Sequence, residues 1–323
     1  MPLDTIIGHE SQLQALLADK EADNVAHAYL FAGRKHLGKF TVAKRFAQEL
    51  LTVDAESDEE KMRLGHDIDR LLHPDLFVID RLWIEDVCED FEVIAKSSNV
   101  PQQDRMKNGA KTDTIGIDDI RALQERLHEV SGGRYRCCLI RSAERLHEEA
   151  VNALLKILEE PPPGVVFLLT TESLPQLLPT LISRSRVLRF APLPTEEMIP
   201  LVAGIAEDDA QFLLRLAQGA PGVILSMKDD PDRLRSERQG YAAALHFWRS
   251  HSLGERLRHL QPLSERGEEA EQFLLHLALA LREEQSASYP EQAMALRALT
   301  ADLRTNASRP LLLQRFALAV SAE

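Results

Sequence analysis

The chain has 323 residues, enough for two or three domains at about 150 residues each. Its 38 Lys and Arg stand against 51 Asp and Glu, a formal charge of −13, and neither the first 190 residues nor the remainder carries a basic excess. That balance argues against a strong stand-alone grip on DNA or anionic lipid, and the 44% apolar content argues for a packed core rather than disorder.

No apolar run approaches the roughly 20 residues needed to span a bilayer, so no membrane partner is expected. Met1-Pro2-Leu3-Asp4 lacks the basic-then-apolar order of a signal peptide. Cys88 stands alone, and Cys137 and Cys138 are adjacent in an apolar run. That is neither a disulfide framework nor a four-cysteine zinc site. A cytoplasmic protein with buried thiols is expected.

Taken in order, short apolar runs at 28–32, 76–79, 137–140, 165–170 and 187–190 read as strands. They barely alternate, as strands buried on both faces should. Helical periods lie between them. Ala43, Phe46, Ala47, Leu50 and Leu51 form one stripe, Ile120, Leu123, Leu127 and Val130 a second, and Ala150, Leu154, Leu155 and Leu158 a third. Pro161-Pro162-Pro163 ends the last. Strand–helix alternation predicts an α/β domain, a parallel sheet covered by helices. Residues 52–72, acidic and polar, and 80–113, with Trp83 and a polar run, read as surface insertions. After Pro192 the strand signal ceases, and helices are expected over 195–206, 208–217, 232–250, 268–284, 290–305 and 310–320. Gly219 to Gly222, with Pro221, breaks the series. Boundaries near 192 and 232 divide the chain into 1–191, 192–231 and 232–323.

Gly33-Arg34-Lys35-His36-Leu37-Gly38-Lys39-Phe40 follows the first strand and opens a helix. This is the spacing of a phosphate-binding P-loop in its required strand–loop–helix context. Gly33 and Gly38 would let the backbone wrap phosphates, and Lys39 would supply charge. The next residue should offer a hydroxyl to Mg²⁺ and is Phe40; Thr41 is rotated about 100° around the helix. The strand at 137–140 should end in an acidic pair that handles metal and water, and it ends in Arg141-Ser142. Glu144 is expected in the following turn. An arginine there would repel Mg²⁺. Two metal-facing positions therefore fail together, which argues against hydrolysis of Mg-ATP. The P-loop reads as vestigial.

The stretch Asn152-Ala-Leu-Leu-Lys156-Ile-Leu-Glu159-Glu160-Pro161-Pro162, a buried strand, and then Leu178-Pro-Thr180-Leu-Ile-Ser183-Arg184-Ser185 resemble the clamp-loader AAA+ ATPase family. Within it they most resemble the delta-prime type of the bacterial DNA polymerase III clamp loader. Ile7-Gly8-His9-Glu10, His27-Ala-Tyr-Leu-Phe31, His73-Pro74-Asp75, Ile117-Asp118 with Arg121, and Gly219-Ala-Pro-Gly222 support it. The resemblance covers residues 5–225 in order; the C-terminal third fits by position and composition.

The resemblance implies a RecA-like AAA+ domain, a small helical lid and an all-α collar. It implies partners too: gamma/tau-type ATPase subunits, a delta subunit and, through the complex, the sliding clamp and primed DNA. Delta-prime subunits sit at one end of the arc as a stator and do not hydrolyse ATP. Ser183-Arg184 matches the family's Ser-Arg-Cys motif, with Ser185 replacing the Cys. That arginine projects into the adjacent subunit's nucleotide site, where a guanidinium stabilises charge on the γ-phosphoryl group. Thr170-Thr171 stand where the family places a polar sensor, or they cap the strand. Gly222 occupies the position of a second nucleotide-sensing arginine, and Arg215 reads as a surface residue. The family's zinc module would fall in 52–72, which holds no cysteine, so zinc is not expected.

The basic clusters at Arg134, Arg136, Arg141 and Arg145, and at Lys35, Lys39, Lys44 and Arg45, read as solvated faces rather than as a nucleic-acid module. No nucleophile or His-pair metal motif is visible. Three functions stay open. The first is a non-catalytic delta-prime-type subunit with Arg184 acting in trans. The others are an ATP-hydrolysing AAA+ motor subunit and an AAA+-derived adaptor of another complex. Phe40, Arg141 and Gly222 favour the first.

Overall fold

A computed structural model describes residues 6–79, 114–128, 132–228, 230–284 and 289–320. The chain divides into two compact units, Met1–Leu201 with Gln218–Gly222, and Val202–Ala217 with Val223–Glu323. The expected insertion at 80–113 lies outside the described residues.

The first unit is built on a five-stranded sheet. Its strands are β1 (Ala28–Ala32), β2 (Leu76–Ile79), β3 (Arg136–Ile140), β4 (Val165–Thr171) and β5 (Arg186–Arg189). They run in the order β2-β3-β4-β1-β5, every pairing parallel. Every residue of β1 to β4 is buried, which is why these runs do not alternate. β5 is an edge strand and shows both of its arginines to solvent.

Parallel strands need crossover helices, and the sequence supplies them. One sheet face, through Leu30, Phe77, Ile140 and Phe167, packs on α4 (Ile117–Leu127) and α5 (Glu148–Glu159) by Ile120, Leu123, Leu154 and Leu158. Alternation turns Tyr29 and Phe31 to the other face. There Tyr29 meets Phe46 of α2 (Lys39–Leu51) edge-on, at 5.2 Å between ring centroids.

The surface insertion expected over 52–72 is instead α3 (Asp58–Asp69), packed on α2 with Ile68 and Leu71 buried. Its acidic run is a helix start. Ser57 Oγ accepts from the Glu60 N–H, and Asp58, Glu59 and Glu60 favour the positive helix end. The periodicity also did not predict α1 (Glu10–Glu21), which buries only Leu13, Leu16 and Asp19. The helix expected over 195–206 is the single turn α7 (Thr195–Met198) running into a 3₁₀ turn, Ile199–Val202. Pro200 removes the hydrogen bond that would continue it. α6 (Pro179–Ser183) is a short turn before β5.

The second unit is helical: α8 (Glu207–Ala217), most of α9 (Pro221–Lys228), α10 (Pro231–Arg249), α11 (Leu253–His259), α12 (Glu268–Glu284), α13 (Tyr289–Asp302) and α14 (Arg309–Ala319). α11 was not expected. Its core stacks Phe247 on Phe316 at 5.4 Å, and Trp248 Nε1 donates to the Leu277 carbonyl at 2.9 Å. Glu237 and His276 meet in the interior at 2.8 Å. Burial pushes the Glu237 carboxyl up, but hydrogen bonds from His276 and Gln272 outweigh it and hold its pKa below the ordinary value. Among the described residues no helix is long and apolar enough to cross a membrane.

The His73-Pro74-Asp75 motif closes the first unit from below. Asp75 Oδ1 accepts from Arg136 Nε at 3.2 Å, Oδ2 accepts from the Gly132 N–H at 3.1 Å, and Arg136 Nη1 donates to the Leu127 carbonyl at 2.9 Å. Both charged side chains are about 5% exposed. Removing Asp75 takes away the carboxylate that faces a buried guanidinium. Asp75→Ala therefore lowers the free energy of unfolding by about 3–5 kcal/mol. A denaturant titration of the intact chain measures this, and a loss below about 1 kcal/mol would contradict a dry, closed pair.

Candidate functional site

β1 leads into the loop at Gly33, whose N–H donates to the Thr171 carbonyl of β4 at 3.1 Å. A Cβ on Gly33 would lie 2.4 Å from the Phe190 carbonyl oxygen, so only glycine fits. Gly38 caps α2 with φ 83°, a left-handed conformation that costs a side-chain-bearing residue. Outside the loop, His9 Nε2 lies 3.0 Å from the Leu37 carbonyl. A carbonyl only accepts, so Nε2 carries the proton.

Lys39 is buried, and its ammonium turns back on the loop, donating to the carbonyls of Gly33 and Arg34 at 2.5 Å each. Burial pushes its pKa down to about 8, opposed by the carboxylates of Glu172 and Glu144 and assisted by Arg141. The loop joins strand to helix as a P-loop does, and its lysine is satisfied by the loop itself.

The two failed metal positions meet. The Arg141 guanidinium lies 5.4 Å from the centre of the Phe40 ring, a cation–π contact where a hydroxyl and a carboxylate would have to face Mg²⁺. Thr41 is exposed. Glu144 lies in the turn after β3, as expected, with Oε1 accepting from the Glu172 N–H at 3.3 Å. These residues do not fit a hydrated divalent cation on a nucleotide. The Thr170 hydroxyl accepts from the Ser142 N–H at 3.0 Å, and Thr171 Oγ1 accepts from the Ser173 N–H at 3.2 Å, so both cap strand ends.

Gly222 lies against the loop. Its N–H donates to the His36 carbonyl at 2.9 Å, and a Cβ there would come within 2.9 Å of that oxygen and 3.2 Å of the His36 Cα. Arg34 donates to the Gln218 carbonyl at 2.8 Å. A sensing arginine at 222 is thus both absent and sterically disfavoured. Arg215 is exposed and pairs with Glu283.

Arg184 lies elsewhere. It follows α6 and precedes β5, whose Arg186 is in register with Tyr29 of β1. In a parallel sheet this puts Arg184 at the strands' N-terminal end, level with the start of β1. The P-loop leaves the C-terminal end, about 20 Å away at roughly 3.3 Å per residue. Arg184 cannot serve its own P-loop. Its Nη2 donates to Glu159 Oε1 at 2.7 Å, and its Nη1 to the Thr180 carbonyl at 3.2 Å. Ser183 Oγ also donates to Thr180, at 3.1 Å, and Ser185 Oγ to the Leu181 carbonyl at 2.9 Å. The serines thus cap the carbonyls of the turn that carries the arginine. The Glu159 pairing was missed. Its motif is visible in the sequence, but a contact across 25 residues has no periodic signal.

The two glycines give a graded test of the loop. Gly38→Ala is strained only by its dihedral and loses about 1–2 kcal/mol. Gly33→Ala must also displace the Phe190 backbone and loses about 3 kcal/mol or more. Thermal or denaturant unfolding of both variants checks the order, and equal losses would contradict the close approach at Gly33.

A family model described as "DNA polymerase III, delta subunit" matches residues 8–194, more than half of the chain. The DNA polymerase III subunit delta' of Escherichia coli K12 is 36% identical over 118 residues, covering 35% of each chain. The DNA polymerase III subunit gamma/tau of Mycobacterium bovis is 28% identical over 237 residues, covering 69% of this chain. The match spans only 36% of that relative's length. Among solved structures, a DNA polymerase III gamma subunit-related protein of Thermotoga maritima superposes with a TM-score of 0.54 at 18% identity, covering 95% of this chain and 98% of the other. That likeness carries the fold, a parallel sheet followed by helices. The matched span takes in the loop after β1, the Asp75–Arg136 pair and the Arg184 turn, and the chain belongs to the DNA polymerase III delta-subunit family.

Proposed function

We propose that this chain is a non-catalytic, stator-like subunit of delta-prime type in a replicative clamp loader, and that it supplies Arg184 to the nucleotide site of a neighbouring ATPase subunit. Its partners are gamma/tau-type ATPase subunits and a delta subunit, and through the complex the sliding clamp and primed DNA. The division 1–191, 192–231 and 232–323 into AAA+ module, lid and collar belongs to the same reading.

The observation that carries the proposal is the opposition of the two sheet ends. At one end the loop lysine is held by its own carbonyls, Phe40 and Arg141 are stacked on each other, and Gly222 is packed on His36. Those features support a loss of hydrolysis and of tight nucleotide binding. At the other end stands an ordered, partly exposed arginine with no substrate of its own within reach. A guanidinium given in trans to a transferring phosphoryl group needs that arrangement, because the charge it stabilises develops on another chain's nucleotide.

Two measurements test this. A titration of the chain with a fluorescent ATP analogue and Mg²⁺ gives no saturable binding, and Lys39→Ala changes nothing. Tight binding that Lys39→Ala abolishes would restore the motor reading. In the assembled complex with clamp and primed DNA, Arg184→Ala leaves assembly intact by gel filtration. It slows hydrolysis at the adjacent site by about 10³-fold or more. A wild-type rate in that variant would remove Arg184 from the reaction.

A further inference from the structure

The contact between Arg184 and Glu159 has no part in folding that its surroundings require. It is an exposed pair, with side-chain exposures of 34% and 53%, and pairs of this kind stabilise a fold weakly. Both partners, however, stand on rigid supports. Glu159 is the last residue of α5 and follows buried Leu158. Arg184 follows α6, which is fixed by fully buried Leu181 in the same hydrophobic cluster. Pro161-Pro162-Pro163 then limits how far the end of α5 can move. The carboxylate is thus presented from one fixed element to a guanidinium on another.

We infer that Glu159 is a positioning residue that orders the Arg184 guanidinium before a neighbouring subunit arrives, an inference that rests on the reading of Arg184 given above. An arginine is long and flexible, and an unrestrained one must be ordered when the phosphoryl group transfers. Fixing it beforehand moves that cost out of the reaction step. Thr180 and Glu159 hold the two terminal nitrogens and occupy two of the five N–H donors, which leaves three for phosphate oxygens. The pair is wet, so water screens the carboxylate and the guanidinium keeps its attraction for a polyanion. Glu159 therefore orders the arginine without neutralising it.

The test is a double-mutant cycle in the assembled clamp-loader complex, reading clamp- and DNA-stimulated ATP hydrolysis. The Arg184-dependent part of the rate is the difference between wild type and Arg184→Ala. Glu159→Ala and Glu159→Gln each lower that part of kcat about threefold, the size of coupling expected between touching side chains. The KM for ATP stays within about twofold, because the neighbour's own residues bind the ground state. Combined with Arg184→Ala, neither substitution lowers the rate further, and the thermal midpoint of the chain is unchanged. A merely structural role for Glu159 would not give that non-additivity. If the Glu159 variants hydrolyse at or above the wild-type rate while Arg184→Ala is slow, Glu159 does not position the arginine and the inference is overturned. A double variant slower than Arg184→Ala overturns it as well, since Glu159 then acts elsewhere. If Arg184→Ala itself runs at the wild-type rate, the reading of Arg184 fails first and this inference falls with it.

Discussion

Everything in the first unit depends on β1 being hydrogen-bonded on both sides, to β4 and to β5, in parallel register. Parallel pairing points every strand the same way, so the chain leaves each one at a common end. The P-loop after β1, Arg141 after β3 and Thr170-Thr171 in β4 are collected there whatever their separation in sequence. The segment that enters β5 is held at the far end by the same ladder. One geometric constraint thus creates two chemically different regions and keeps them about 20 Å apart.

At the P-loop end the contacts are internal to the chain. Gly33 and Gly38 lie in the turn between β1 and α2, and Lys39 opens α2. At the positions where a P-loop ATPase would face Mg²⁺ stand an aromatic ring and a guanidinium in contact with each other. The ring face attracts the guanidinium, a contact of cation–π type. Lys39 is satisfied in the same way, by loop carbonyls rather than by an anion. The segment at Gly222 adds a backbone hydrogen bond to the loop at His36. In the proposed role these contacts inside the chain stand where an ATPase would contact its nucleotide.

The opposite end is built more sparingly. A single turn of helix carries Ser183, Arg184 and Ser185, and two serine hydroxyls satisfy its carbonyls. The arginine lies partly in solvent, held by one carboxylate and one carbonyl. In the proposed role the arginine has to stay accessible to another chain, which limits the contacts its own chain can make to it. In the proposed role the rigidity comes from the cores beneath α5 and α6.

The sequence by itself determined the strands of the sheet, to within a residue or two at each end, because runs buried on both faces lack alternation and stand out. It also put Phe40 after the loop lysine and Arg141 after β3, neither of which offers a hydroxyl or a carboxylate. It hid α3, whose acidic first turn resembles a solvated loop until Ser57 is seen to cap it, and α1, whose buried face carries Asp19 beside Leu13 and Leu16. Only the tertiary structure decided that Arg141 lies on Phe40, that Gly222 abuts His36, and that Glu159 reaches Arg184. These partners are separated by many residues and belong to different elements. Their meeting follows from strand order and register, which the spacing of apolar residues along one element does not encode.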